Sequence, residues 1–351
     1  MSGFDGGRTA FAAVVLGLLS ASARAQDPCA GAEPALVAAA HAIEDGQWDE
    51  AEGKLRPVAS SNPECGRLVA ALARVRAGRG DASEADRLFA RAAALGPEDA
   101  RVQALAAGYW LARGQRARAD YLASLALALG PDDADALVVH GRILAEKGQP
   151  QDARQAFERA VLEDPTHVEA RYQLGVSLYR RRVYSDAAAH LEKVVAARPH
   201  DARAHDYLAQ SLERLGEAER ADHAYRAAQE VNDGPLPDPF FDYYYGRFLL
   251  KQDRLEEGRT HLDRALARHP RERAVHYERA KLGVASGQYA AARVDAERAL
   301  ELPDPAGLVL DLQLHYLLAT VYRHLGDAEQ ARRHADLARA APIPEGRDDR
   351  R

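Results

Sequence analysis

Large side chains are scarce in this chain: aromatics make up only 7% of its 351 residues, methionine occurs once and cysteine twice. A core with so few rings must be assembled from something smaller, and alanine is the dominant apolar residue of a composition that is 47% hydrophobic. Stretches that alternate apolar and polar are missing, as are β-branched runs. Their absence excludes a sheet-based architecture, and the wealth of Ala, Leu, Arg and Glu favours helix throughout. Basic tracts are missing too. With a net charge of −6 and a pI near 6.1, the chain has no electrostatic footprint for a phosphate backbone, so nucleic acid is not an expected partner.

Only one sustained apolar run stands out, Phe11 to Leu19, preceded by Arg8 and followed by Ala23-Arg24-Ala25. It is too short for a bilayer span, which needs roughly 20 residues. Its flanks are those of a secretory signal peptide. The expectation is that residues 1–25 are removed near Ala25, that 26–31 form a short N-terminal segment, and that the mature protein lies in the periplasm or otherwise outside the cytoplasm. A retained N-terminal helix is the alternative. No cysteine sits close enough behind the run for lipid attachment.

Periodicity is the strongest signal. Pro63, Pro97, Pro131, Pro165 and Pro199 are spaced 34 residues apart. Twelve residues before each lies a small residue: Ala51, Ala85, Ala119, Ala153 and Ala187. Eight before come Leu55, Phe89, Ala123, Phe157 and Leu191, and five before come Val58, Ala92, Ala126, Ala160 and Val194. These offsets share one helical face. A second helix precedes each of these, marked by small residues in His140-Gly141, Leu174-Gly175 and Tyr245-Gly246. Between the two helices stand Gly46, Gly80, Gly114, Gly148, Gly216, Gly287 and Gly326, suited to a left-handed helix end.

A 34-residue unit with this small-large pattern resembles the tetratricopeptide repeat family over about residues 32 to 345. The resemblance implies an all-α, right-handed α-solenoid of about nine helix-turn-helix repeats. Repeats 1–6 would occupy 32–235, a Pro-rich join 236–238, and repeats 7–9 residues 239–345 with a short insertion near 307–311. A polar tail at 346–351 is expected to be disordered. Export gives the two cysteines a meaning, because disulfides persist in oxidising compartments. Cys29 precedes the first predicted helix and Cys65 follows the second, so a bridge would staple the first hairpin, for roughly 3 to 4 kcal/mol. Two free thiols are the alternative.

Motifs for chemistry are absent. None of the thirteen histidines falls in a zinc motif, C-x-x-C and C-x-x-C-H do not occur, and neither does a phosphate loop or a nucleophile elbow. His190, His261 and His334 hold the same place in three repeats, which reads as a solvated face of the second helix. Adjacent carboxylates such as Asp132-Asp133 and Glu256-Glu257 fall on exposed helix starts. We therefore expect no catalytic residue, no metal, no cofactor and no enzyme activity.

What remains is binding surface. Projected onto the first helices, Arg67, Arg74, Arg101 and Arg142 face the expected groove in the N-terminal half. Asp206 and Gln210 face it further on. The partner-binding candidates are Tyr172, Tyr179, Arg203, Tyr243, Arg247, Tyr277, Lys281, Tyr316 and Arg323. Tyr supplies area at low entropic cost and Arg makes bidentate bonds to carboxylates. The aromatic stretch Phe240 to Tyr245 either projects outward in part or packs as core. The resemblance implies an adaptor. The expected function is an exported scaffold holding a protein partner, as an accessory or assembly component of a cell-envelope complex. The alternative is recognition of a carbohydrate or cell-wall polymer through the Tyr and Arg groove.

Overall fold

A computed structural model of the chain describes residues 27–233, 238–305 and 307–341. The expected signal peptide, most of the Pro-rich join and the polar tail lie outside the described residues. Within them the chain is eighteen α-helices and no strand. These are α1 (Glu33–Glu44), α2 (Trp48–Ala59), α3 (Gly66–Gly78), α4 (Ala82–Leu95), α5 (Ala100–Ala112), α6 (Arg116–Leu129), α7 (Ala134–Glu146), α8 (Pro150–Glu163) and α9 (Val168–Arg180). There follow α10 (Tyr184–Ala197), α11 (Ala202–Leu215), α12 (Ala218–Val231), α13 (Phe241–Lys251), α14 (Leu255–Arg268), α15 (Arg273–Ala285), α16 (Tyr289–Glu301), α17 (Asp311–His324) and α18 (Ala328–Ala340).

The chain divides into two compact units, up to Leu178 and from Tyr179 onward. The division falls in the last turn of α9 rather than at the Pro-rich stretch where the repeat pattern breaks. In the first unit α1 to α8 form four hairpins, and each hairpin packs on the next. In the second, α10 is followed by four hairpins from α11 to α18, stacked the same way. Each unit is thus an α-solenoid of helix pairs.

The alanine ladder explains the close packing. Ala51, Ala85, Ala119, Ala153 and Ala187 are all buried, and the side chains one turn on, Leu55, Phe89, Ala123, Phe157 and Leu191, fill the interior of each hairpin. The facing helix answers with small residues. A Cβ built on Gly141 would lie 2.5 Å from the Phe157 ring, so glycine is required for that ring to sit where it does.

Helix ends follow local chemistry. Asp81, Asp99, Asp133, Asp201 and Asp327 each accept a hydrogen bond from a backbone N–H one turn on, satisfying an otherwise orphaned donor. All seven predicted turn glycines have positive φ. Where glycine is lacking, Arg182 (φ 65°), between α9 and α10, and Asp253 (φ 59°), in the α13–α14 turn, adopt the same left-handed conformation against their steric preference.

Cys29 and Cys65 form a disulfide, with Cα atoms 4.6 Å apart. Cys29 sits ahead of α1 and Cys65 is the N-cap of α3, its sulfur accepting from the Leu68 N–H. The bridge therefore ties the beginning of the first hairpin to the beginning of the second.

Candidate partner-binding face

In the second unit the first helices of successive hairpins, α11, α13, α15 and α17, touch in sequence. Residues in matching register form ladders across them. One ladder is Asp206, Tyr243, Tyr277 and Tyr316. Its members grow more exposed toward the end of the unit: Tyr243 is 7% exposed, Tyr277 half-buried and Tyr316 55% exposed. Tyr243 lies in the apolar cluster that holds Ala274 and Val275 of α15, whereas α17 has no following hairpin among the described residues.

A second ladder is Gln210, Arg247 and Lys281. Arg247 stands over the rings of Tyr244 and Tyr243, at 5.5 and 5.8 Å, and its guanidinium reaches the Glu213 carboxylate at 3.2 Å. Glu213 also receives Lys251 Nζ at 2.6 Å and the Tyr225 hydroxyl at 3.2 Å. Burial would push the Glu213 carboxyl upward, but Arg247 and Lys251 outweigh it and hold it below its usual range. Burial raises the Tyr243 phenol to about 12, against the opposing pull of Arg247. Arg247 is thus an internal strut, with only 14% of its side chain exposed. Lys281, bonded to Glu278 at 2.7 Å and set over the Tyr277 ring, keeps a third of its surface.

Burial corrects other expectations. Asp206 and Gln210, expected in the groove, are inside. The Tyr179 hydroxyl donates to Gln210 Oε1 at 2.9 Å, and Gln210 Nε2 donates to Asp206 Oδ2 at 2.5 Å. Asp206 is fully buried, with the Asp238 carboxyl beside it. Burial, and then the neighbouring Asp238 carboxyl, push its pKa well above the usual carboxylate range. Tyr172, in the first unit, is buried. Arg203 is half-buried and makes a bidentate pair with Asp201, the N-cap of its own helix. In the first unit Arg67 is shared among Asp27, Glu33 and Asp99, and Arg101 pairs with Asp135 at 3.0 Å. Tyr316 and Arg323 are exposed as expected.

The histidine reading also changes. His261 is buried against Asp242, Nδ1 to Oδ1 2.8 Å, and His334 meets His315 of the facing helix. The shared register of these histidines marks a position that faces the partner helix within a hairpin, not solvent. The signal lay 19 residues upstream, where the facing residue of each pair stands. Of the aromatic stretch, Phe241, Tyr243 and Tyr245 are core, Tyr244 is half-buried and Phe240 is 39% exposed.

Charge is segregated along these helices. On α11, α13 and α15 the carboxylates point inward: Asp206, Asp242 and Glu278 are buried, and the Glu213 side chain is 8% exposed. Cations close the last turns of α9, α11, α13 and α17 through Arg180, Arg214, Lys251 and Arg323. All four are exposed, and Arg180 and Arg214 make no ion pair among the described residues. Cations there complement the helix dipole for about 0.3–1 kcal/mol each, yet the last turns of α5, α7 and α15 carry none.

A stack of helix pairs whose surface chemistry recurs in register defines a repeat-type scaffold. The chain belongs to the tetratricopeptide repeat family: family models of that description match residues 42–109, 111–168, 138–202, 172–235 and 246–307. The fold is similar to that of the human IFIT1 dimer with PPP-AAAA, at 20% identity over 84% of this chain and 69% of that one, with a TM-score of 0.52. It is similar to the APC/C hetero-tetramer Cut9-Hcn1, at 16% identity over 83% of this chain and 56% of that one, TM-score 0.61. It is also similar to PilW, a widely conserved type IV pilus biogenesis factor, at 18% identity over 60% of this chain and 95% of that one, TM-score 0.52. At these identities the likeness is one of fold. The sequence matches no curated protein. Among the described residues no three metal-ligating side chains cluster, and no helix is long and apolar enough to cross a membrane.

Proposed function

We propose that this protein is an exported, non-catalytic scaffold that holds an acidic protein segment against the first-helix face of its second unit. The observation that carries this is the segregation of charge: in a chain of net charge −6, α11, α13 and α15 turn their carboxylates inward while Arg214, Lys251, Lys281 and Arg323 stay outward. Tyr277 and Tyr316 add aromatic area beside them. Arg247, Tyr243, Tyr179 and Arg203 shape the face from beneath. Export is supported by the sequence of residues 1–25 and by the Cys29–Cys65 bridge, a kind of bond favoured in oxidising compartments. A role in assembling an envelope complex suits such a scaffold, and PilW offers a fold-level parallel.

The test is binding of acidic and basic peptides, and of cell-wall glycans, to the immobilised mature protein at low and physiological salt. Acidic peptides should bind, weakening as salt screens the contact. Arg214→Glu combined with Lys251→Glu and Arg323→Glu should abolish binding while the circular dichroism spectrum is kept. Preferential capture of glycans, with Tyr316→Ala as the damaging change, would replace this proposal by carbohydrate recognition.

A further inference from the structure

Three consecutive hairpins carry a polar pair at one and the same internal position. In α13–α14 it is Asp242 with His261, in α15–α16 His276 with Asp295, and in α17–α18 His315 with His334. The members of every pair are 19 residues apart. The first two pairs join an imidazole to a carboxylate at 2.8 and 2.9 Å, and an arginine supports each carboxylate: Arg268 on Asp242 at 2.6 Å and Arg279 on Asp295 at 3.4 Å. The third has no carboxylate. Its two Nδ1 atoms are 3.1 Å apart, with both rings partly buried and Tyr322 stacked on His334.

We infer that the terminal hairpin, α17–α18, is an acid-sensitive latch that opens when both imidazoles of the His315–His334 pair are protonated, withdrawing Tyr316 and Arg323 from the binding face. One proton is tolerated, since an N–H of one ring can donate to the lone pair of the other. A second leaves two cations nose to nose with no acceptor between them. The charged and titratable groups around the pair are Arg273 on α15, Glu297 on α16, Asp311 on α17 and Arg333 on α18, with the Tyr322 phenol bonded to Glu297. Asp311 is itself engaged by Arg273. Two carboxylates and two guanidiniums leave no net charge to absorb the second proton. Burial lowers the pKa of both rings, and on His334 the other imidazole adds to it.

The sign follows from linkage. A histidine whose folded pKa is depressed contributes stability that is complete above its unfolded value of about 6.5 and is lost as pH falls toward the folded one. If only the second proton is excluded, the open population of this hairpin rises about thirtyfold between pH 7.5 and pH 5. Hairpins α13–α14 and α15–α16, whose imidazoles face carboxylates, stay closed over that range.

Hydrogen exchange of the free mature protein at both pH values, corrected for intrinsic rates, reads this directly. Protection across 311–340 should fall at pH 5 while that across 241–301 holds. His334→Asp, which copies the His276–Asp295 arrangement, should abolish the fall, and Asp295→His should transplant it into the preceding hairpin. Equal protection of 311–340 at the two pH values, or a fall that survives in His334→Asp, would overturn the inference. If His334→Asp does not fold at pH 7.5, His315→Asn removes one titrating ring and must flatten the same profile. The withdrawal of Tyr316 and Arg323 rests on the proposed binding face, whereas exchange in the free protein does not. Loss of protection without loss of acidic-peptide binding would therefore refute the face and leave the latch.

Discussion

Breaking the Cys29–Cys65 bridge should free the first hairpin while leaving the rest of the first unit folded. In a solenoid each repeat is held by its neighbours alone, and among the described helices α1–α2 packs against α3. The bridge closes a loop of 36 residues, for which chain entropy gives a stabilisation of about 4 kcal/mol. Because the bridge ties the start of that hairpin to the start of the next, the gain acts on its local detachment, and its loss raises opening on the order of 10² to 10³-fold. Cys65→Ser is the informative variant, since the hydroxyl preserves a cap acceptor for the Leu68 N–H and so removes the bridge without removing the cap. Hydrogen exchange should show residues 33–59 losing protection in this variant and in the reduced wild type. Unchanged protection of that segment, in protein whose thiols titrate as free, would refute the argument.

Other consequences of the packing can be checked by denaturant unfolding. Gly141→Ala places a methyl carbon against the Phe157 ring and should cost about 1–3 kcal/mol. Arg182→Gly relieves a left-handed residue in a turn where sister repeats use glycine and should stabilise by about 0.5–1 kcal/mol. Asp206→Asn should stabilise the second unit at neutral pH but not near pH 4. Its folded pKa is raised, so its favourable contribution is present below the unfolded value of about 3.9 and is lost as pH rises through the folded one. An identical urea midpoint for wild type and Asp206→Asn at neutral pH would show that burial does not protonate this carboxyl.

The repeat was legible because it is written in small, repeated decisions. A glycine at each turn, an alanine at each crossing and an apolar residue one turn on are local requirements, and each repeats with the unit. Surface and interior among polar residues were much less legible. Tyr243, Tyr277 and Tyr316 hold one register position, yet burial runs from nearly complete to slight, because a following hairpin covers the first two and no described hairpin follows the third. Arg247 and Lys281 are likewise equivalent by position, but two cations and a phenol converge on Glu213 and draw Arg247 inward. The histidines are illegible for a related reason: a recurring polar residue reads as solvated from its own position, while the partner that buries it stands on the facing helix and changes along with it.

By itself, then, the sequence determined the helices, their pairing and the family, since helix propensity, capping and close approach act within one repeat. Tertiary structure alone decided which carboxylates are buried, which cations stay outside, and that the last hairpin sets histidine against histidine. Those depend on side chains brought together from different helices, and burial changes both the charge and the exposure of a residue without changing its place in the repeat.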